Sequence, residues 1–134
     1  VFSGNDKATV VTDTGIISDD ILHRLDDSTL LVLEANYDPH MLRFGPYQPF
    51  LKQRVASDEG HLSNEMAAQA LLMMKRPDFM QVILAHRSEN NNNAVLVTQT
   101  IGKMLVDGGV RIGPEMKLQH GQPNEIVSMQ SVKR

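Results

Sequence analysis

Three short apolar runs, residues 7–12, 29–33 and 80–85, alternate with segments of helical period, and each is followed by an ionisable side chain. The first run is β-branched and closes on Asp13-Thr14-Gly15, the second precedes Glu34, and the third precedes His86. Strands separated by helices suit a layered α/β architecture. In such architectures the edge reached by these strand ends is where loops assemble sites on a rigid scaffold. Taken singly, a strand-end Asp or Glu is more often a turn former or helix cap, and a strand-end His a satisfied, half-buried imidazole. Three such ends together are harder to explain that way. Carboxylate oxygen and imidazole nitrogen are ligand types for Zn²⁺ or Mn²⁺, so a pair at neighbouring strand ends can share a metal site.

The segments between the runs read as helices. Ser18 caps one that runs to Leu25, and the stretch around Asp38-Pro39, Gly45-Pro46 and Pro49 has room for two short helical turns. Ser63 caps a helix whose Met66, Ala67, Ala70, Leu71 and Met74 share one face, and Arg76-Pro77 ends it. Four consecutive asparagines, residues 90–93, form a loop and cap before Ala94, Val97, Ile101, Met104 and Leu105, a second amphipathic face stopped by Gly108-Gly109. Two short tail strands are expected at 115–119 and 125–129, around a turn at 121–124.

Composition narrows the chemistry. With 134 residues and 41% hydrophobic side chains, the chain is one domain or less, with enough apolar residues for a core. It has no cysteine, which excludes a disulfide scaffold, a thiolate zinc finger and a cysteine nucleophile. No basic-then-apolar leader and no membrane-length apolar run occurs, so the chain reads as cytoplasmic with no membrane partner. It opens on Val1 rather than Met, which reads as a piece of a longer product. A net charge of −3 argues against a general nucleic-acid coat. The excess acid lies in residues 1–42, with eight acids against two bases, whereas residues 43–87 hold six bases, among them Arg43, Lys52, Arg54 and Arg87, against four acids. A few phosphate contacts are compatible with that middle segment, as is a solvated mixed-charge surface.

Other features carry less. His23 follows Asp19 and Asp20 by four and three residues, an ordinary exposed pairing, and His120 adjoins a tail turn. Met66, Met73, Met74 and Met80 read as core filling. There is no phosphate-loop glycine spacing and no Gly-x-Ser-x-Gly elbow. His61, just before the Ser63 cap, either packs locally or serves a site, and Ser63 and Asn64 either cap the helix or donate to a phosphate oxygen.

Four local patterns, in order, carry a family likeness: Val11-Thr12-Asp13-Thr14-Gly15, Leu33-Glu34-Ala35-Asn36-Tyr37-Asp38, Ser57-Asp58-Glu59-Gly60-His61-Leu62-Ser63-Asn64-Glu65, and Leu84-Ala85-His86-Arg87-Ser88-Glu89-Asn90-Asn91. Over residues 7–105 the chain resembles metallo-β-lactamase-fold hydrolases, above all the YycJ or WalJ branch of DNA exonucleases, and more distantly ribonuclease Z. The resemblance implies the C-terminal half of an αββα sandwich, a mixed sheet with flanking helices, spanning residues 1–134. The family's His-x-His-x-Asp-His motif lies upstream of the Asp-Thr-Gly turn, and residues 1–12 do not supply it.

Residue by residue, the resemblance implies that Asp13 bridges two divalent ions, zinc or manganese, and that His86 ligates one of them. A hydroxide held between the ions would attack phosphorus in line. His61 and Glu34 match a His-Glu pair that protonates the leaving group or stabilises charge. Ser63, Asn64, Arg43, Lys52, Arg54 and Arg87 are the expected substrate contacts. Tyr37 stands where near relatives often carry His, so with Asp38 and His40 it is expected only to shape a loop. The implied activity is a metal-dependent nuclease, with DNA ahead of RNA as substrate, completed by the missing N-terminal half or a partner chain; a homo-oligomer is left open. A small ester or thioester hydrolase of the same fold is one alternative. A catalytically silent half-domain acting as a binding or assembly module is the other.

Overall fold

The computed structural model describes residues 2–3 and 6–121. In chain order these form β1 (Phe2–Ser3), β2 (Asp6–Val11), α1 (Asp19–Leu25), β3 (Leu30–Glu34), α2 (Pro39–Phe44), α3 (Pro49–Val55), α4 (Asn64–Met73), β4 (Met80–Ala85), α5 (Ala94–Asp107) and β5 (Met116–His120). The expected tail strand at 125–129 lies outside the described residues.

The sheet order is β1-β2-β3-β4-β5, with β2 to β5 all parallel and β1 antiparallel on the outer edge. Where consecutive parallel strands are neighbours, right-handed crossovers return the chain over the same sheet face each time. The core follows from this. Leu31 and Leu33 of β3 and Val82 and Leu84 of β4 alternate onto one face, where they meet Leu25 of α1, Ala67, Ala68, Ala70 and Leu71 of α4, and Val97, Ile101 and Leu105 of α5. The alanines of α4 keep that helix close to its neighbours. On the other sheet face Val10, Val32 and Ile83 are in register; Ile83 is buried, Val32 half-buried, and Val10 at the β2 end is 62% exposed.

The helix ends obey local chemistry. Ser18 accepts from the Ile21 amide, Ser63 from Met66 and Asn93 from Leu96, each capping its helix. Helices α2 and α3 each begin on proline, and Gly109 takes φ +92° just beyond α5. Asp38 caps α2 through its side chain, while the Tyr37 backbone bridges to Ser63, so these residues do more than shape a loop. Burial, with Glu65 adding to it, lifts the Tyr37 phenol above its ordinary pKa.

Two expectations are corrected. His23 pairs with Asp26, at 3.8 Å, rather than with the aspartates before it, because Asp20 is taken by Arg24 at 3.2 Å. Met73 is not core filling: it is 67% exposed, on the solvent side of α4, whereas Met74 and Met80 are buried. No helix among the described residues is long and apolar enough to cross a membrane.

Candidate metal centre and acid–base site

Parallel strands deliver their ends to one edge, and β3 is the central one of the three that matter. Glu34 is therefore flanked on one side by Asp13, just beyond β2, and on the other by His86, just beyond β4. Glu34 is the last residue of β3 rather than just past it, and it is fully buried. Both flanking residues leave their strands through the left-handed region, at φ +58° for Asp13 and +56° for His86. Aspartate and histidine enter that region more readily than most non-glycine residues, but at a cost, so the kinks are held by their surroundings. At His86 one holding contact is visible: its carbonyl accepts from the Asn36 side-chain amide at 2.6 Å.

His61 arrives from a different part of the chain. The Gly15 amide donates to the Asp58 carbonyl at 2.9 Å, and a Cβ on Gly15 would stand 1.7 Å from the Ser57 carbonyl oxygen. A Cβ on Gly60 would stand 2.2 Å from the Arg54 oxygen. Only glycine permits these approaches, which press the 57–60 loop against the Asp-Thr-Gly turn and the end of α3. The His61 amide then bonds Val55 and the Leu62 amide bonds Glu34 Oε2 at 3.0 Å, which sets the imidazole over the strand edge.

Ligand atoms of Asp13, Glu34, His61 and His86 lie within 4.8 Å of one another. Glu34 is the hub. Its Oε1 accepts from His61 Nδ1 at 3.0 Å, from His86 Nδ1, and from the Asp13 amide at 3.4 Å. With Oε2 taken by Leu62, this carboxylate is filled with donors and shielded from solvent. Asp13 Oδ1 lies 3.4 Å from His86 Nδ1 and 3.9 Å from His61 Nδ1, and Asp13 is 70% exposed. An imidazole that donates from Nδ1 keeps Nε2 free as ligand or proton carrier. The donors left open are thus the Asp13 carboxylate and the Nε2 atoms of His61 and His86, a set that suits a divalent cation in donor type.

The expected substrate contacts divide. Arg54 lines a cleft of about 180 Å³ together with Asp13, His61, Leu51, Val55, Glu59 and Gly60. Arg43 is exposed on α2, Lys52 donates from Nζ to the Arg43 carbonyl at 2.7 Å, and Arg87 follows His86 in the chain. Ser63 and Asn64, expected to face a phosphate, lie in the interior: Ser63 is spent on its cap, and Asn64 is fully buried. Asn64 and Asn92 exchange amide hydrogen bonds of 3.0 and 2.8 Å, and Asn92 also donates to the Ala35 carbonyl. Sequence reasoning missed Asn36 and Asn92 as supports of the site; the run of four asparagines was the signal for Asn92, since buried amides must find partners.

Across nearly its whole length the chain is similar to exodeoxyribonuclease YycJ of Bacillus anthracis, with 32% identity over 130 residues, 97% of this chain and 49% of that protein. It is also similar to exodeoxyribonuclease WalJ of Streptococcus pneumoniae, with 35% identity over 124 residues, 92% of this chain and 46% of that protein. The chain spans about half the length of the curated relatives it matches. No family model and no solved structure matches it.

Proposed function

The chain belongs to the YycJ/WalJ family of metallo-β-lactamase-fold proteins, and from that premise we propose that it is the C-terminal half of a metal-dependent DNA exonuclease. The observation that carries this reading is the convergence of Asp13, His61 and His86 around the buried carboxylate of Glu34. The N-terminal half, with its His-x-His-x-Asp-His ligands, would complete a site for two zinc or manganese ions. The sheet face that bears the exposed Val10 is where a second sheet would pack.

Asp13 and His86 would hold the metal, which when bound would supply a low-pKa water and Lewis-acid stabilisation of the phosphate. His61, half-buried in the cleft with its ring oriented by Glu34, would carry a proton at Nε2 to the departing oxygen. Glu34 itself is too buried to touch substrate, so its part is positioning rather than proton transfer. Arg54 in the same cleft suits a phosphate oxygen.

The test is metal content and turnover of the full-length protein. Bound zinc or manganese, with hydrolysis of single- or double-stranded oligonucleotides well above hydrolysis of small esters, supports the reading. Preferential ester turnover assigns the site to a small-molecule hydrolase instead. Asp13→Ala with unchanged metal stoichiometry removes the site altogether.

A further inference from the structure

Between Asp38 and Asp58 the chain carries Arg43, Lys52 and Arg54 and no acidic residue, a cationic island in a chain of net charge −3. The same two helices expose the largest apolar side chains of the described surface: Phe44 is 69% exposed and Phe50 63%. Neither ring contributes to the core. Phe44 sits 4.7 Å from the His40 ring and 5.4 Å from the Arg43 guanidinium, so it is held in an ordered polar cluster.

The second of these helices, α3, borders the site, and the first, α2, shares a groove with it. One side of α3, with Leu51, Arg54 and Val55, walls the cleft that contains Asp13 and His61. Its other side, with Lys52, Gln53 and Ala56, walls a second groove of about 350 Å³ shared with Arg43 and Leu42 of α2. The Lys52-to-Arg43 hydrogen bond ties the helices together across that groove.

We propose that α2 and α3 form a stacking platform for single-stranded DNA, with Phe44 and Phe50 receiving bases and Arg43, Lys52 and Arg54 following the phosphates toward the metal centre. Exposed aromatics interleaved with cations are the chemistry by which proteins hold unpaired strands without reading sequence. A duplex offers such rings only the outer face of its terminal pair, whereas an unpaired strand offers every base, so the platform favours frayed or single-stranded ends. The proposal rests on the nuclease reading for its purpose, but its binding is separable from the chemistry.

The experiment uses the full-length protein without added metal, a short fluorescent deoxythymidine oligomer, and the double variant Phe44→Ala/Phe50→Ala. Each stacked base is worth roughly 5- to 150-fold in affinity, so the double variant should bind at least about 25-fold more weakly, while Phe44→Tyr/Phe50→Tyr binds as wild type. Iododeoxyuridine oligomers should photocrosslink to the wild type within residues 44–50. Metal-loaded hydrolysis of bis(p-nitrophenyl) phosphate, too small to reach the platform, should be unchanged by the alanines; absence of that hydrolysis from wild type, with the binding loss intact, sinks the nuclease reading and leaves the platform. Unchanged binding in the alanine variant, or crosslinks that map elsewhere, overturns the platform. So does a change of oligomeric state on alanine substitution, which makes the rings a protein contact.

Discussion

The imidazoles of His61 and His86 meet edge to face, ring centroids 5.0 Å apart and planes inclined at 71°, although 25 positions separate them in the chain. One oxygen of Glu34 holds them there by accepting from both Nδ1 atoms. Glu34→Gln keeps the shape, but its amide has one carbonyl oxygen of lower charge and puts NH₂ donors on the other side, against the Leu62 amide or the imidazoles. Metal affinity is therefore expected to fall roughly 10- to 100-fold, the usual cost of losing an orienting partner. Titration of the apo protein with Zn²⁺ reads this directly. An unchanged affinity would mean that the rings are oriented by something other than this carboxylate.

Asp13 trades stability for placement. Its left-handed backbone costs an L-residue on the order of 1 kcal/mol, and glycine avoids that cost while adding a similar entropy to the unfolded chain. Asp13→Gly is therefore expected to leave the urea-unfolding free energy within about 0.5 kcal/mol of wild type, or above it. Metal binding should fall by more than the change at Glu34 produces, because a donor itself is removed. A large loss of stability would show that the carboxylate, not the backbone, holds this turn.

The strands, the helices and the shared edge could be read from the sequence because each depends on local pattern: apolar runs, caps at Ser18 and Ser63, breakers at Pro77 and Gly109. Burial of Glu34 was not legible, since it follows from β3 lying between β2 and β4, a fact of topology. His61 was ambiguous for a related reason. Its place depends on the contact of Gly15 with the 57–58 backbone, more than 40 positions away in the chain, and no periodicity reports it. Asn64 next to its cap reads as a surface amide, and only the docking of the 91–92 loop buries it.

That amide pair gives a third prediction. Asn92→Ala leaves the buried Asn64 amide and the Ala35 carbonyl without a partner, which should cost roughly 2–4 kcal/mol at one to three for each orphaned group, partly relieved by relaxation. Asn64→Ala/Asn92→Ala should cost less than the two single changes together, because the second removes the group that the first had stranded. A double-mutant cycle by chemical denaturation checks this, and strict additivity would mean that the two amides do not interact.

His120 links stability to pH. Its Nε2 lies 2.8 Å from Thr98 Oγ1, joining β5 to α5, and burial first, with the Arg87 charge second, holds its pKa below the ordinary 6.5. The unfolded chain therefore takes up the proton more readily than the folded one. The stability that this neutral ring contributes is complete above pH 6.5 and declines as pH falls below it toward the folded-state value. His120→Gln keeps a partner for Thr98 and cannot titrate, so its denaturation midpoint should drop less than that of wild type between about pH 7.5 and about pH 5.5. Because every other titrating group is common to both proteins, equal drops would show that this ring protonates alike in the folded and unfolded chain.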